Sequence, residues 1–416
     1  MTTTPADDRA HHRRRFQGRD PHEDHRAATP LELLYDLTLV VAFGVAADEL
    51  AHFVADDHIW AGIGGFAFGA LSVSWAWVGY SWFASGYDTD DWLFRLATMV
   101  QMVGVIVVAL GLPQMFASID HGETLDTNVM VAGYVIMRVA LVPLWALVAR
   151  HDAERAPAAH SYITTITIAQ VGWLALSISH VPVTTAFVLV IPLFALELSG
   201  PFIAEGRART PWHPHHIVER YGLLVIITLG EVILGTVAAL NAVVHGEAGW
   251  SVDAALLAVA GVGLTFACWW MYFAVAWVEP LVRRPGRWSG FVFGYGHLAI
   301  FAPLAAMGAG LHVAAYMLES EAKIGAVGTV LSVVIPFGIF ALAFYAVYSV
   351  LMHTGDPFHL WLLIATGAVL ALAVVLAGAG VSVPVCLLVV VLAPVVTVVG
   401  FETLGDRHMA DAVGRL

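Results

Sequence analysis

Pro30-Leu-Glu32-Leu-Leu-Tyr35-Asp36-Leu37 opens an apolar run that continues to about Val45. It begins a membrane-length segment, and it carries two carboxylates four residues apart. On a helix, positions i and i+4 share a face, so Glu32 and Asp36 project together with Tyr35 beside them. A carboxylate facing lipid is costly, so this face is expected to look into the protein. A related stretch begins the second half of the chain: His216-Ile-Val-Glu219-Arg220-Tyr221-Gly222, then apolar residues to Gly230 and Glu231. The rest of the chain reads as scaffold around these two helices.

Composition sets the class. Hydrophobic residues make up 59% of the 416 and charged residues only 12%, against about 25% charged in a soluble domain. Repeated apolar stretches of about 20 residues identify an all-α polytopic integral membrane protein. Twelve windows of membrane length lie near 31–54, 59–84, 92–117, 128–149, 159–179, 183–203, 216–242, 253–278, 289–315, 324–351, 358–379 and 382–401. The last two are separated by little more than Gly378, Gly380 and Pro384, so one kinked or re-entrant unit is the alternative there. Residues 1–29 are polar, rich in His and Arg, and expected to be a disordered cytoplasmic tail. No signal peptide is expected, and Arg13-Arg14-Arg15-Phe16 reads as an orientation signal rather than an export signal. Cys268 and Cys386 fall inside apolar spans and read as small buried hydrophobes.

Charge placement orients the chain. With the N-terminus inside, the inner segments hold fifteen arginines, six of them in the tail, and the outer loops hold only Lys323. The net charge of −13 hides this segregation. Positive residues favour the cytoplasmic side, so both termini are expected there, in a bacterial plasma membrane. The halves also echo one another. Glu32 and Glu219 are 187 apart, and Trp77-x-x-Tyr80 and Trp269-x-x-Tyr272 are 192 apart. Six spans per half give both the same orientation, so the expectation is two parallel six-helix repeats, 30–204 and 205–402, followed by a cytoplasmic tail, 403–416.

The two opening stretches also carry a resemblance. Pro30-Leu-Glu32-Leu-Leu-Tyr35-Asp36-Leu and His216-Ile-Val-Glu219-Arg220-Tyr221-Gly222-Leu, the latter ending Leu229-Gly230-Glu231, are similar to two signatures of the bacterial low temperature requirement A (LtrA) family. Both occur in the right order. The resemblance covers nearly the whole chain after the tail. It implies a multi-pass architecture and a link to growth in the cold, and it names no substrate.

Several side chains stand out for chemistry. Glu231 lies twelve residues beyond Glu219, ~18 Å along a helix and so near the bilayer midplane. A lone carboxylate there costs on the order of 3 kcal/mol unless protonated, paired or hydrated. It reads either as an acid bonded to a neighbouring helix or as a proton or cation site. Arg138 is the one cation deep in a span, and by depth its candidate partners are Glu231, Asp36 and Glu197. The charge pathway is therefore drawn from Glu32, Asp36, Arg138, Glu197, Glu219, Arg220 and Glu231, with His297 as a candidate proton relay and His312 a weaker one. Gln101 and Gln170 read as interhelical bonds. Tyr35, Trp77, Tyr80, Trp269 and Tyr272 belong to aromatic groups that either pack against helices or line a pocket. The cluster His213, His215 and His216, and the tail residues His11, His12, His22 and His25, lack the ligand set of a zinc site, so no metal and no cofactor is expected.

No nucleotide loop, nucleophile elbow or HExxH motif occurs, so the chain does not read as an enzyme. The leading reading is a proton- or cation-linked transporter of an unknown small solute. The alternatives are a cation channel, distantly similar to a lysosomal potassium/proton channel family built from two six-span repeats, and a non-transporting membrane protein supporting growth in the cold. The expected partners are the lipid bilayer, protons or cations, and the solute; nucleic acid is not expected. Oligomeric state is left open.

Overall fold

The protein is described by a computed structural model covering residues 15–21, 23, 26–245 and 249–415. The histidines at 11, 12, 22 and 25 lie outside the described residues. Fifteen α-helices are present: α1 (Pro30–Ala55), α2 (Ile59–Tyr87), α3 (Trp92–His121), α4 (Asn128–His151), α5 (Ala156–Ile178), α6 (Val183–Arg207), α7 (Pro214–Val244), α8 (Val252–Phe273), α9 (Val278–Arg283), α10 (Arg287–Gly296), α11 (Leu298–Leu318), α12 (Ala326–Leu351), α13 (Pro357–Gly378), α14 (Val383–Gly400) and α15 (Asp406–Arg415). No strand occurs among the described residues. Twelve spans are long and apolar enough to cross a membrane, with α8 and α9 forming one and α10 and α11 another.

The helical choice follows from the solvent. In hydrocarbon every backbone N–H and C=O must be satisfied within the segment, which a helix does by itself. Large apolar side chains then cover the outside: Leu110 and Ile178 are each 70% exposed, as a lipid-facing surface requires. The final two windows are separate helices, α13 and α14, joined by a turn whose Gly380 adopts φ of +85°. That left-handed conformation suits glycine and lets the chain reverse.

The chain forms two compact units. One holds residues up to Ala42 and Trp75–Glu219, and the other holds Phe43–Ser74 and Arg220–Leu416. These units do not follow the boundary between residues 204 and 205. The later half of α1 and the first half of α2 group with the second unit, because they pack there and not with α3–α6. In the first unit α3 packs on α4, α4 on α5 and α5 on α6. In the second, α11 packs on α12, α12 on α13, α13 on α14, and α14 on α8. The span Arg287–Leu318 is 78% buried and forms the centre of that unit, whereas Pro357–Gly378 is 28% buried and faces outward.

The described part of the N-terminal tail is packed, although its composition suggests otherwise. Phe16 is fully buried against Phe83, and its N–H donates to Nδ1 of His151. Arg26 donates to the carbonyl of Ala84 at 2.8 Å. One aromatic anchor and one arginine sharing a helix-end carbonyl with the Asp88 N–H therefore hold a strap that a hydropathy average cannot see.

Glycine sets the closest helix crossing. A Cβ on Gly133 of α4 would lie 2.4 Å from the Val108 nitrogen of α3, and one on Gly111 would lie 2.2 Å from the nitrogen of Met130. Both contacts are with backbone, which cannot move aside, and small residues permit this approach in membranes. Gly133→Leu is expected to destabilise the protein by about 1–3 kcal/mol or more through overpacking. Gly367→Ala, where a Cβ meets open space, is expected to be neutral or slightly stabilising. Thermal melting in detergent checks both, and equal melting temperatures for the two variants would contradict the close crossing.

Candidate functional site: buried charge in each unit

In the first unit, the start of α1 is a capping box. The Thr29 N–H donates to Oε2 of Glu32 at 2.8 Å, and the Glu32 N–H donates to Oγ1 of Thr29 at 3.3 Å. Two orphan donors are thus satisfied reciprocally, with Pro30 at the first helical position where its missing N–H costs nothing. The Thr29-Pro-Leu-Glu32 spacing is a sequence signal for this arrangement. Glu32 also meets Nε2 of His216 at 3.0 Å, both side chains being fully buried. Asp36 accepts from the Trp77 indole N–H at 2.7 Å. Tyr35 packs on Tyr80 with ring centroids 4.2 Å apart, and the Tyr80 hydroxyl pairs with Thr98 on α3 at 3.2 Å. Glu219 accepts the Ala28 N–H at 3.1 Å. Tyr35, Trp77 and Tyr80 are all fully buried within this packing.

Asp88 lies just beyond α2 among these groups. Burial pushes its carboxyl up to about 6, the neighbouring Glu32 carboxylate adds to this, and the Asp90 N–H and Arg26 oppose it. A carboxylate in an unfolded chain titrates near 4. Between those values the folded state keeps a proton that the unfolded state has released. Stability contributed by this group therefore falls as pH rises through that window, and the penalty is complete above about 6.

Depth alone left three partners open for Arg138, and the structure assigns Glu197. The Arg138 guanidinium on α4 and the Glu197 carboxylate on α6 are 2.5 Å apart. Three further groups donate to that carboxylate: the Trp75 indole at 3.0 Å, the Gln170 amide at 3.0 Å and the Trp173 indole at 3.3 Å. Arg138 also donates to the Tyr134 hydroxyl at 3.1 Å and passes over Gly79, where a Cβ would lie 2.7 Å from its Nη1. Donors from α2, α4 and α5 thus converge on one acid. These bonds tie α2, α4, α5 and α6 together through one carboxylate. Sequence reasoning placed Gln170 among interhelical bonds; it did not single out Trp173, which stands alone among aliphatic residues, and nothing local marks the Trp75 indole as a donor to an acid.

The second unit holds Glu231 differently. Its side chain is 2% exposed, and its Oε1 has no hydrogen-bond partner among the described residues. What faces the carboxylate is glycine: a Cβ on Gly44 of α1 would lie 3.5 Å from Oε1. On the other side, a Cβ on Gly308 of α11 would lie 2.4 Å from the Glu231 backbone, and one on Gly235 would lie 2.3 Å from the Gly308 carbonyl. One turn further along the same helices, Asp48 and His312 stand 3.5 Å apart. Both act electrostatically on Glu231, and Asp48 is 64% exposed. A buried acid thus leads to a His–Asp pair and then to the protein surface. Asp48 was not singled out from sequence, although its i+4 relation to Gly44 marks the same face.

The remaining residues separate. Arg220 is fully buried at the start of the second unit's portion of α7. His297 joins α10 to α11. Its Nδ1 donates to the Phe293 carbonyl at 2.7 Å, and its Nε2 pairs with the Tyr272 hydroxyl at 2.8 Å. Tyr221, Trp277, Phe293 and Phe301 surround it. Both ring nitrogens are thus engaged, tying the junction of α10 and α11 to Tyr272 of α8. Trp269, related to Trp77 by spacing, is 41% exposed and lines a surface cleft instead.

A family model described as bacterial low temperature requirement A protein (LtrA) matches residues 27–394. The chain belongs to the LtrA family. The match contains both opening stretches, and therefore the Glu32 capping box, the Arg138–Glu197 pair and Glu231. An uncharacterized protein of Rhizobium meliloti is 27% identical to this LtrA protein over 68% of each chain. No solved structure matches it.

Two outcomes test this geometry. Glu197→Gln leaves Arg138 without its counter-charge, so it is expected to cost about 3–5 kcal/mol, and Arg138→Met combined with it is expected to recover part of the loss. Denaturant titration of the single and double variants measures the coupling, and simple additivity would contradict a direct pair. Asp88→Asn is expected to flatten the fall in stability between about pH 4 and 6. Melting temperatures across that range check it, and an unchanged slope would assign the pH dependence to another group.

Proposed function

We propose that this LtrA protein is a proton- or cation-linked transporter of a small solute in the bacterial plasma membrane, with Glu231 as the coupling site. The observation that carries this reading is the contrast between two acids buried within spans, Glu197 and Glu231. Glu197 is held by four donors and a guanidinium charge within that set. Glu231 instead faces Gly44, with an oxygen free to receive a proton or cation. An ionisable group kept inside a membrane without a fixed partner marks an ion or proton path.

In this reading the His312–Asp48 pair connects Glu231 to one side of the membrane. A histidine beside a carboxylate suits the transfer of protons to and from solvent. Glycines on α1, α7 and α11 let these helices approach closely around the carboxylate, with no side chain between them to restrict small helix movements. The Arg138–Glu197 assembly acts as the fixed frame of its own unit. The arginine-rich segments at both termini and in alternate loops support cytoplasmic termini. The partners are the bilayer, the coupling ion and the solute, and the protein works without bond-making chemistry.

Proteoliposomes containing the purified protein test this. Wild type is expected to move protons or alkali cations down an imposed gradient. Glu231→Gln is expected to reduce that flux to the protein-free leak, and His312→Ala is expected to shift its pH dependence. Unitary currents would identify a channel rather than a carrier. Absence of ion flux from folded wild type under every gradient would remove the reading.

A further inference from the structure

Two clefts on the second unit run into one another. The first is an apolar groove of about 310 Å³ between α7 and α8, passing Ile226, Gly230, Ile233 and Val262. A Cβ on Gly230 would meet nothing within 4 Å, so the floor of the groove is open. The second is a cleft of about 400 Å³ at the end of α8, lined by Phe266, Trp269, Trp270, Phe273 and Glu402. Phe266 and Trp269 belong to both.

The second cleft has the chemistry of a cation site. Phe266, Trp269, Trp270 and Phe273 occupy positions i, i+3, i+4 and i+7, so their rings form one face of the helix. Trp269 stands 5.7 Å from Phe266 and 5.6 Å from Phe273. Glu402 comes from a π-helical turn directly after α14. The Trp270 indole N–H donates to its Oε1 at 2.8 Å, which holds the carboxylate beside the rings. Tryptophan faces attract cations, quaternary ammonium groups above all, and a carboxylate adds full charge to that attraction. An interfacial aromatic belt alone requires no acid.

The groove has the complementary chemistry. Its walls are apolar and belong to membrane-spanning helices, and it runs inward from the aromatic end along α7 and α8. We propose that the two clefts together bind one zwitterionic phospholipid. Its ammonium head lies against Trp269 and Trp270 beside Glu402, and an acyl chain lies in the groove past Gly230. Charge complementarity selects this occupant: an anionic head group without an ammonium would meet the Glu402 carboxylate unpaired. This inference is independent of the transport reading.

Native mass spectrometry of the full-length protein with phosphatidylcholine, phosphatidylethanolamine and phosphatidylglycerol of identical acyl chains tests it. Wild type is expected to retain the first two in preference to the third. Glu402→Gln, which keeps the size of the side chain, and Trp269→Leu, which removes the ring, are expected to abolish the preference. Val262→Trp, which fills the groove, is expected to lower retention of the zwitterionic lipids. Equal retention of all three lipids by wild type, or an unchanged preference in Glu402→Gln, would overturn the proposal. Tetramethylammonium binding without any lipid preference would also overturn it, by reducing the site to a receptor for soluble cations.

Discussion

A carboxylate inside a bilayer is tolerated only if something replaces the water it has left. Much of this molecule follows from how each inward-facing acid meets that condition. Glu32 uses a backbone N–H and a histidine. Asp36 uses an indole. Glu197 uses a guanidinium, an amide and two indoles. Each solution draws donors from a different helix, so the acids act as fasteners where hydrophobic contact between helices gives little selectivity against lipid. Glu231 is met by closely packed glycines, which offer its carboxylate no side-chain donor.

The same constraint shapes the backbone. Where two helices must approach closely, glycines remove the side chains between them, as where Gly133 of α4 meets α3 and where Gly308 of α11 meets α7. Tryptophan has a double role. Trp75, Trp77 and Trp173 bury their rings and spend their N–H groups on buried acids, which lets a large apolar side chain satisfy a charge without bringing another charge into the membrane.

The twelve spans were legible because hydrophobic length is a direct consequence of bilayer thickness. The family was legible from the two opening stretches. Pairing was less so. The depth of Arg138 left three acids equivalent, because depth is a one-dimensional coordinate and pairing depends on which helices are neighbours. The Thr29–Glu32 box was written in the local sequence but overshadowed by the reading of Glu32 and Asp36 as one inward-facing pair. Trp77 and Trp269 match in spacing and differ in environment, one buried on Asp36 and the other exposed beside Glu402. Spacing preserves chain position, whereas environment depends on what packs above the residue. The division between compact units was hidden for a related reason: α1 and α2 are each continuous in sequence but contribute a half to each unit.

The fixed start of α1 has a mechanical consequence. Pro30 and the Thr29–Glu32 box prevent the helix from extending or fraying at that end. A helix in a bilayer answers a hydrophobic mismatch by tilting or by moving its ends through the interface, and a capped first turn keeps the length of α1 constant while it does so.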